Sequence, residues 1–583
     1  MVWLSRKRII FVLFAVLLLV AGGWMYSQRV EQVPMEIYVP ESALGYIELN
    51  DLPQLLDQVT STTAWQKLAP AYGLPDRLNY LGKAGALARW TGLGPGESVV
   101  LARAQIAVVV TGIEVRGEEV RPRLAIIAET HTSENRLRSV IEERLPQLAA
   151  RAYGKPVREA TEYMGVPITV WRAPEGERRL LSAQMGSLWI VANHPDSLRS
   201  CIETRLGRSP SMANSNFYLK TARLLVDGRS GDGNLFAFVS GQGVVRLMQF
   251  ATSIVAGRIA SATPFAGALE GLLADISSRT VDGAAYSASF EDSIIVNRYA
   301  LLCKPALVDK LKASVVTTDN GNSQGDLRVL QLTPPAIKDI TIVNVENPVR
   351  ALDGLEVAIS SQLGTGQSFI LHGVFLGARE ALLGLKPNEN PAPAFGNEIA
   401  SISFSDNISD RVLLIAARDH SLLRGFAEKF LTTSGATIAR QRYHDVELMI
   451  SSSARRGVGA FIGDFLALGG LPQVRHLIDA HRQGQSLVKT RPFTSASRPD
   501  QPAAILSFSS VREETGEMMA ALARRFNGKA GGNDTAMITA LESLPLAASA
   551  TSINDYGLYI ESHAPLGNFP LIVSLLDETG QKP

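Results

Sequence analysis

The chain reads as an α+β protein built from two tandem, diverged copies of an antiparallel sheet-plus-helices unit, preceded by one N-terminal transmembrane helix. Three observations predict this. Matched segments recur in the same order along the 583 residues, strand and helix periodicities alternate inside each copy, and an uncharged apolar run lies near the N-terminus.

The recurrence is checked by subtraction. Leu44–Asp51 lies over Ile340–Asn347, and 340 − 44 gives an offset of 296. Ile106-Ala107 lies over Ile399-Ala400 at 399 − 106 = 293, and the apolar strands ending in His131 and His420 match at 420 − 131 = 289. Tyr163–Val166 then falls on Tyr443–Val446 at 280, Leu198-Arg199 on Val474-Arg475 at 276, Phe236 on Ile505 at 269, and Glu291-Asp292 on Asn554-Asp555 at 263. Steadily shrinking offsets are what deletions in a second copy leave behind, whereas unrelated α+β halves would scatter both ways.

The elements of the first copy follow in order. A strand over Ala43–Leu49 runs into a helix from Leu52 through Trp65, with apolar residues at Leu52, Leu55, Leu56 and Val59. Gln105–Val115 and Arg123–Glu129 form a hairpin about Gly117, and Ser133 is placed to cap a helix reaching Arg151. Val166–Trp171 and Leu188–Ala192 read as strands, Pro195 opens a helix at the position where its missing N–H is harmless, and Leu235–Ser240 is a further strand. A helical region over Gly243–Ile276 and a closing hairpin over Gly283–Leu302 complete the copy, and the second repeats the plan from Ile340 to about Leu566.

The organisation is then a basic cytoplasmic tail at 1–8, an anchor at 9–26, a first repeat at 36–312, a linker at 313–335 and a second repeat at 336–578. The linker contains Thr317–Asp326, which is nearly devoid of apolar residues, and Pro334-Pro335. Arg6-Lys7-Arg8 precedes the uncharged run Ile9–Tyr26, so the basic cluster stays in the cytoplasm and the body lies on the periplasmic or extracellular side. Localisation in the cytoplasmic (inner) membrane as a single-pass protein follows. Ala21-Gly22-Gly23 leaves a cleaved signal peptide as the alternative, and both readings export the body.

Composition excludes several classes. With 57 Lys and Arg against 56 Asp and Glu, the net charge of +1 provides no field for nucleic acid, and no nucleic-acid partner is expected. Cys201 and Cys303 are the only cysteines, too few for a disulfide framework or a cysteine metal site. Their repeat counterparts are Leu477 and Leu566, which marks both as small buried hydrophobes.

Motifs that carry chemistry are sparse. Gly92-Leu-Gly-Pro-Gly96 reads as a turn, because Pro95 removes a donor and no Lys follows. Ser486-Leu-Val-Lys489 has the Ser-x-x-Lys spacing, yet Ser405-Asp-Asn407 precedes it and no Lys-Thr-Gly follows. His131 and His420 are the one histidine pair matched between copies, read as local structural groups, and His444, His476 and His481 lack histidine counterparts. No catalytic, cofactor-binding or metal residues are assigned, and no cofactor is expected. The apolar helical region Gly243–Ile276 is read as a cover for the sheet, with a lipid-accepting surface as the alternative.

Tyr38-Val-Pro-Glu-Ser-Ala-Leu44, Asn50-Asp-Leu52 and the helix ending near Trp65 resemble a bacterial domain-of-unknown-function family of membrane-anchored, exported α+β proteins. Asn214–Phe217 and Asp555-x-Gly557 extend the resemblance loosely, and it brings no catalytic residues. The expected function is a non-catalytic, membrane-anchored cell-envelope module that binds or scaffolds a protein partner. The alternatives are a carrier or chaperone of a lipid or other hydrophobic ligand and, behind it, an envelope hydrolase.

Overall fold

The computed structural model describes residues 30–573 apart from 75–76, 92–93, 117–118, 227–234, 250–265, 292, 318–326, 384–388, 500–501, 528–533 and 571–572. The anchor at 9–26, the turn at Gly117, residues 318–326 of the linker and the middle of the Gly243–Ile276 region lie outside the described residues. The protein is α+β with antiparallel pairing. Its residues divide into two compact units, Met1–Ser61 with Pro75–Phe238, and Thr62–Leu74 with Val239–Pro583.

In the first unit the strands are β1 (Gly45–Leu49), β2 (Gln105–Arg116), β3 (Glu119–Glu129), β4 (Val157–Tyr163), β5 (Val166–Arg172), β6 (Arg179–Met185), β7 (Leu188–Ala192) and β8 (Leu235–Ser240). They pair antiparallel as β1-β2-β3-β7-β6-β5-β4. β4 escapes the sequence reading because its almost fully exposed residues, such as Arg158, Glu159 and Glu162, show no apolar alternation, whereas β6 does alternate, with Leu181, Ala183 and Met185 set between Ser182 and Gln184, and was passed over. The expected helix from Leu52 through Trp65 is two helices, Leu52–Ser61 and Thr63–Ala71. Thr62 between them is extended, and its side chain accepts the Trp65 amide, so a capping threonine starts a new helix.

The second unit holds β9 (Val281–Glu291), β10 (Ile294–Cys303), β11 (Asp339–Asn344), β12 (Phe395–Ser403), β13 (Arg411–Ala417), β14 (Ile438–Tyr443), β15 (Val446–Ser451), β16 (Val458–Ile462), β17 (Phe465–Gly469), β18 (Ile505–Ser509), β19 (Ala547–Asn554) and β20 (Gly557–Ala564). Here the series β11-β12-β13-β17-β16-β15-β14 repeats the pairing order of the first unit. After its exposed first residue, Arg411, β13 is apolar because it is covered on both faces. Val412, Leu414 and Ala416 pack with Val474 and Leu477, while Ile415 packs with Leu423, Phe426 and Leu431. Residues Arg328–Leu332, at the end of the linker, form a short helix whose Val329 and Leu330 are fully buried in this core.

Register provides a second comparison. With β1 over β11 at 296, the pairs Gly45↔Val110 and Thr341↔Ser401 place β2 over β12 at 401 − 110 = 291. With β3 over β13 at 289, Val109↔Ala125 and Ala400↔Leu414 give 400 − 109 = 291 again. Both neighbours therefore move the β2 alignment two residues from the 293 read in sequence, a shift that keeps every side chain on its own face.

The β10–β20 ladder has a symmetry of its own. It pairs Ile295↔Ala564 through Leu302↔Gly557, with Arg298 opposite Glu561. The hairpins end at Glu291↔Ile294 and Asn554↔Gly557, so counterparts lie 554 − 291 = 263 apart. Exchanging counterparts maps Ile295↔Ala564 onto Leu301↔Leu558 and leaves Arg298↔Glu561 in place, since 561 − 298 is also 263. This strand junction is a pseudo-two-fold seam with an ion pair at its centre.

Candidate functional site

Two polar clusters stand out against the apolar interior. In the first unit, strand alternation sends Tyr46 and Glu48 to one face of β1, both buried, while Ile47 points outward. The Tyr46 hydroxyl donates to that of Tyr218 at 2.5 Å, inside a cage completed by Phe236 and Phe238. Burial pushes the Glu48 carboxyl up to about 7, against the Asn50 hydrogen bond that favours its ionised form. Glu36 is raised by burial too.

Where β2 begins and β3 ends, side chains from distant segments converge. Gln105 receives the Val33 amide at 2.8 Å, donates to Asn50 Oδ1 at 2.7 Å, and shares a 2.8 Å bond with His131 Nε2. Glu129 accepts from the Tyr38 hydroxyl and the His131 amide. His131 itself has φ 48°, a left-handed conformation that histidine tolerates better than branched residues do. Burial holds its imidazole below the usual range, with Arg89 and Arg103 opposing the pull of Glu129. Arg89 pairs with Asp51 at 3.0 Å, and Arg103 Nε donates to the Arg89 carbonyl.

The second cluster sits on the seam. Arg298 Nη2 donates to Glu291 Oε1 at 2.7 Å, Nη1 to Ser289 at 2.6 Å and Nε to Glu561 Oε2 at 3.3 Å. Tyr559 donates to the same Glu561 oxygen at 3.0 Å. Glu561 Oε1 meets His563 Nε2 at 2.9 Å, and His563 Nδ1 meets Ser497 Oγ at 2.9 Å. Burial works against the charge on Glu561, but the His563 hydrogen bond and the Arg298 guanidinium outweigh it and hold the carboxyl below its ordinary value. Glu291 is likewise lowered, its hydrogen bonds from Arg298 overcoming burial.

Apart from His131, the residues singled out in sequence fall elsewhere. His420 opens the helix His420–Thr432, exposed, with Nε2 3.3 Å from Asp464 and its ring against Phe461. Ser486 is buried ahead of the three-residue turn Leu487–Lys489, and the Lys489 ammonium donates to the Gly484 carbonyl at 2.6 Å. Ser405-Asp-Asn407 forms a local turn in which Ser405 donates to Asp410 and Asn407 accepts the Ser409 amide. His444 pairs with Asp479, and His476 packs edge-on against Phe404. Pro95 sits at the N-cap of the helix Gly96–Arg103.

Cys201 and Cys303 are both free and buried, and burial pushes their thiols up to about 12 and about 11. Among the described residues no group of three or more His, Cys, Asp or Glu is placed to hold a metal ion. No described helix is long and apolar enough to cross a membrane. Sequence reasoning passed over the seam cluster, although Glu561-x-His563 on a strand was a legible signal, since residues two apart share a face.

An exposed apolar surface belongs to the second unit's helices Pro348–Ser360 and Thr365–Leu383. Val357, Phe369, Ile370 and Val374 are all exposed, Phe369 by 77%, and no Asp, Glu, Lys or Arg occurs from Val357 to Ala378. The chain matches no protein-family model, no curated protein and no solved structure.

Proposed function

We propose that this chain is a membrane-anchored, extracytoplasmic binding or scaffold module of the cell envelope, descended by duplication from a unit that paired with itself through one edge strand. The duplication is supported by the repeated pairing order, the concordant 291 register and the self-symmetric β10–β20 ladder. Anchoring rests on the uncharged run Ile9–Tyr26 behind Arg6-Lys7-Arg8.

The observation that carries the binding reading is the apolar helical surface around Phe369. Contiguous exposed apolar side chains on a soluble body are unfavourable unless a partner covers them, and large exposed patches mark interaction sites. The pair His372–Glu356, 2.5 Å apart beside this surface, supplies polar groups of the kind found at a protein interface rim. The partner is therefore an envelope protein, with bound lipid as the carrier alternative.

Mass spectrometry of the native, detergent-extracted protein tests this. The expected result is a retained N-terminal run and a stoichiometric protein partner that is lost in Phe369→Asp. Bound lipid without a partner would favour the carrier, and a preparation with neither would remove the binding reading.

A further inference from the structure

We propose that Ser497, His563 and Glu561 form a nucleophile–base–orienter relay that hydrolyses carboxylic esters. The inference goes beyond the binding reading and does not depend on it.

The geometry meets the requirements of an activated serine. Oγ of Ser497 lies 2.9 Å from His563 Nδ1, and the opposite ring nitrogen lies 2.9 Å from Glu561 Oε1, both within the range for nucleophile, base and orienting acid. Ser497 is exposed, while the side chains of His563 and Glu561 are 10% and 14% exposed, so the nucleophile faces solvent and its activating groups do not. An ionised carboxylate only accepts hydrogen bonds, so Glu561 requires the proton on Nε2 and leaves the Nδ1 lone pair free to accept from Ser497. The two ring nitrogens exchange the roles they hold in serine proteases, and the proton transfer they perform is the same.

Each member is held in place. Glu561 is fixed through its other oxygen by Tyr559 and Arg298. His563 and Glu561 alternate along β20 and project from one face. The segment carrying Ser497 is tied down by the next residue, as the Arg498 guanidinium lies 4.2 Å from the centre of the Phe493 ring and donates to the Phe493 carbonyl. Phe493 is buried against Phe508.

The reaction balances without a co-reactant other than water. Ser497 Oγ forms a bond to the ester carbonyl carbon as its proton passes to Nδ1. The carbon–oxygen bond to the leaving alcohol then breaks, and the alcohol takes that proton. Water repeats the sequence on the acyl-serine, releasing the acid and restoring Ser497. His563 is the catalytic base and Glu561 a positioning residue.

The test treats the full-length, detergent-solubilised protein with a fluorophosphonate probe and maps the adduct by peptide mass spectrometry. A single label on Ser497, abolished by Ser497→Ala and slowed about 100-fold or more by His563→Gln, is expected from the usual contribution of a general base. No label, a label that survives Ser497→Ala, or an unchanged rate in His563→Gln would overturn the relay. Should His563→Gln fail to fold, p-nitrophenyl butyrate decides. Turnover above that of Ser497→Ala, an exposed change that leaves the core intact, supports the relay, and equal turnover overturns it.

Discussion

The two polar clusters enclose carboxyl groups to different depths and treat them in opposite ways: Glu48 is almost fully buried, Glu561 mostly buried and Glu291 close to a third exposed. In the first unit Glu48 is enclosed by Tyr46 and Asn50, and its carboxyl rises to about 7. On the seam, Glu291 and Glu561 flank Arg298 and are held below their ordinary value. Burial alone therefore does not decide whether an acid is charged. Hydrogen bonds and neighbouring cations decide it, from His563 and then Arg298 for Glu561, and from Arg298 for Glu291. The consequence is a difference in pH response: the seam is weakened by acid, the first unit by base.

Removing the cation breaks the contrast most severely. Arg298→Met leaves the mostly buried Glu561 without its cation, and the loss at pH 7 is expected to approach about 3–5 kcal/mol, the usual cost of breaking a buried pair, reduced by the solvation that the part-exposed Glu291 keeps. Amide hydrogen exchange across β9, β10 and β20 should accelerate accordingly. These acids have depressed folded pKa values, so their stabilisation is present above the unfolded value and lost as pH falls through the folded one. The defect should shrink in acid. Equal exchange rates in variant and wild type at pH 7 would show that the seam owes nothing to Arg298.

Glu48 supplies the opposite sign. Its folded pKa of about 7 lies above the ordinary 4.5, so the stability it contributes is complete below 4.5 and is lost as pH rises through 7. The difference corresponds to about 3 kcal/mol at about 1.4 kcal/mol per unit. Glu48→Gln should therefore stabilise the first unit at pH 8 and do little at pH 4. Exchange of the β1 and β2 amides, measured at both pH values, distinguishes this from a general packing effect.

The contrast between the clusters was only partly legible in the sequence. Repetition was visible because apolar strands such as Val412–Ala417 keep their pattern when individual residues drift. The seam's symmetry was implicit in the 263 offset of the hairpin turns, but the pairing of β10 with β20 was not, since no local pattern encodes which edges meet. β4 stayed hidden because an exposed polar strand lacks the alternation that burial imposes, whereas the alternation of Leu181, Ala183 and Met185 in the part-buried β6 was there to be read. Gln105 and His131 are 26 residues apart, and Ser497 and His563 are 66 apart, so neither contact has a spacing signature. His131 was noticed as half of a matched pair, yet its partner is Gln105, whereas His420 is turned toward Asp464.

A smaller effect sharpens the account of the first unit. Tyr218→Phe removes the acceptor of the Tyr46 hydroxyl, which is buried among aromatic rings. A loss of about 1–3 kcal/mol is expected for the stranded donor. Adding Tyr46→Phe should recover part of it, because removing both hydroxyls leaves nothing unsatisfied. A double variant less stable than Tyr218→Phe would show that Tyr46 has another acceptor.

The finest comparison lies within β9, where two serines flank the same arginine. Ser289 accepts from Arg298 at 2.6 Å, while Ser287, directly across the ladder from Arg298 and buried, has a hydroxyl oxygen with no hydrogen-bond partner. Ser289→Ala forfeits a hydrogen bond to a charged donor and should cost about 1.5–3 kcal/mol, whereas Ser287→Ala discards an unsatisfied group and should be neutral or stabilising by up to about 1 kcal/mol. The two changes delete the same atom type, two residues apart on one face of one strand. A difference in β9 amide exchange between them isolates the worth of the arginine contact from that of burial, and equal losses would place the cost in packing.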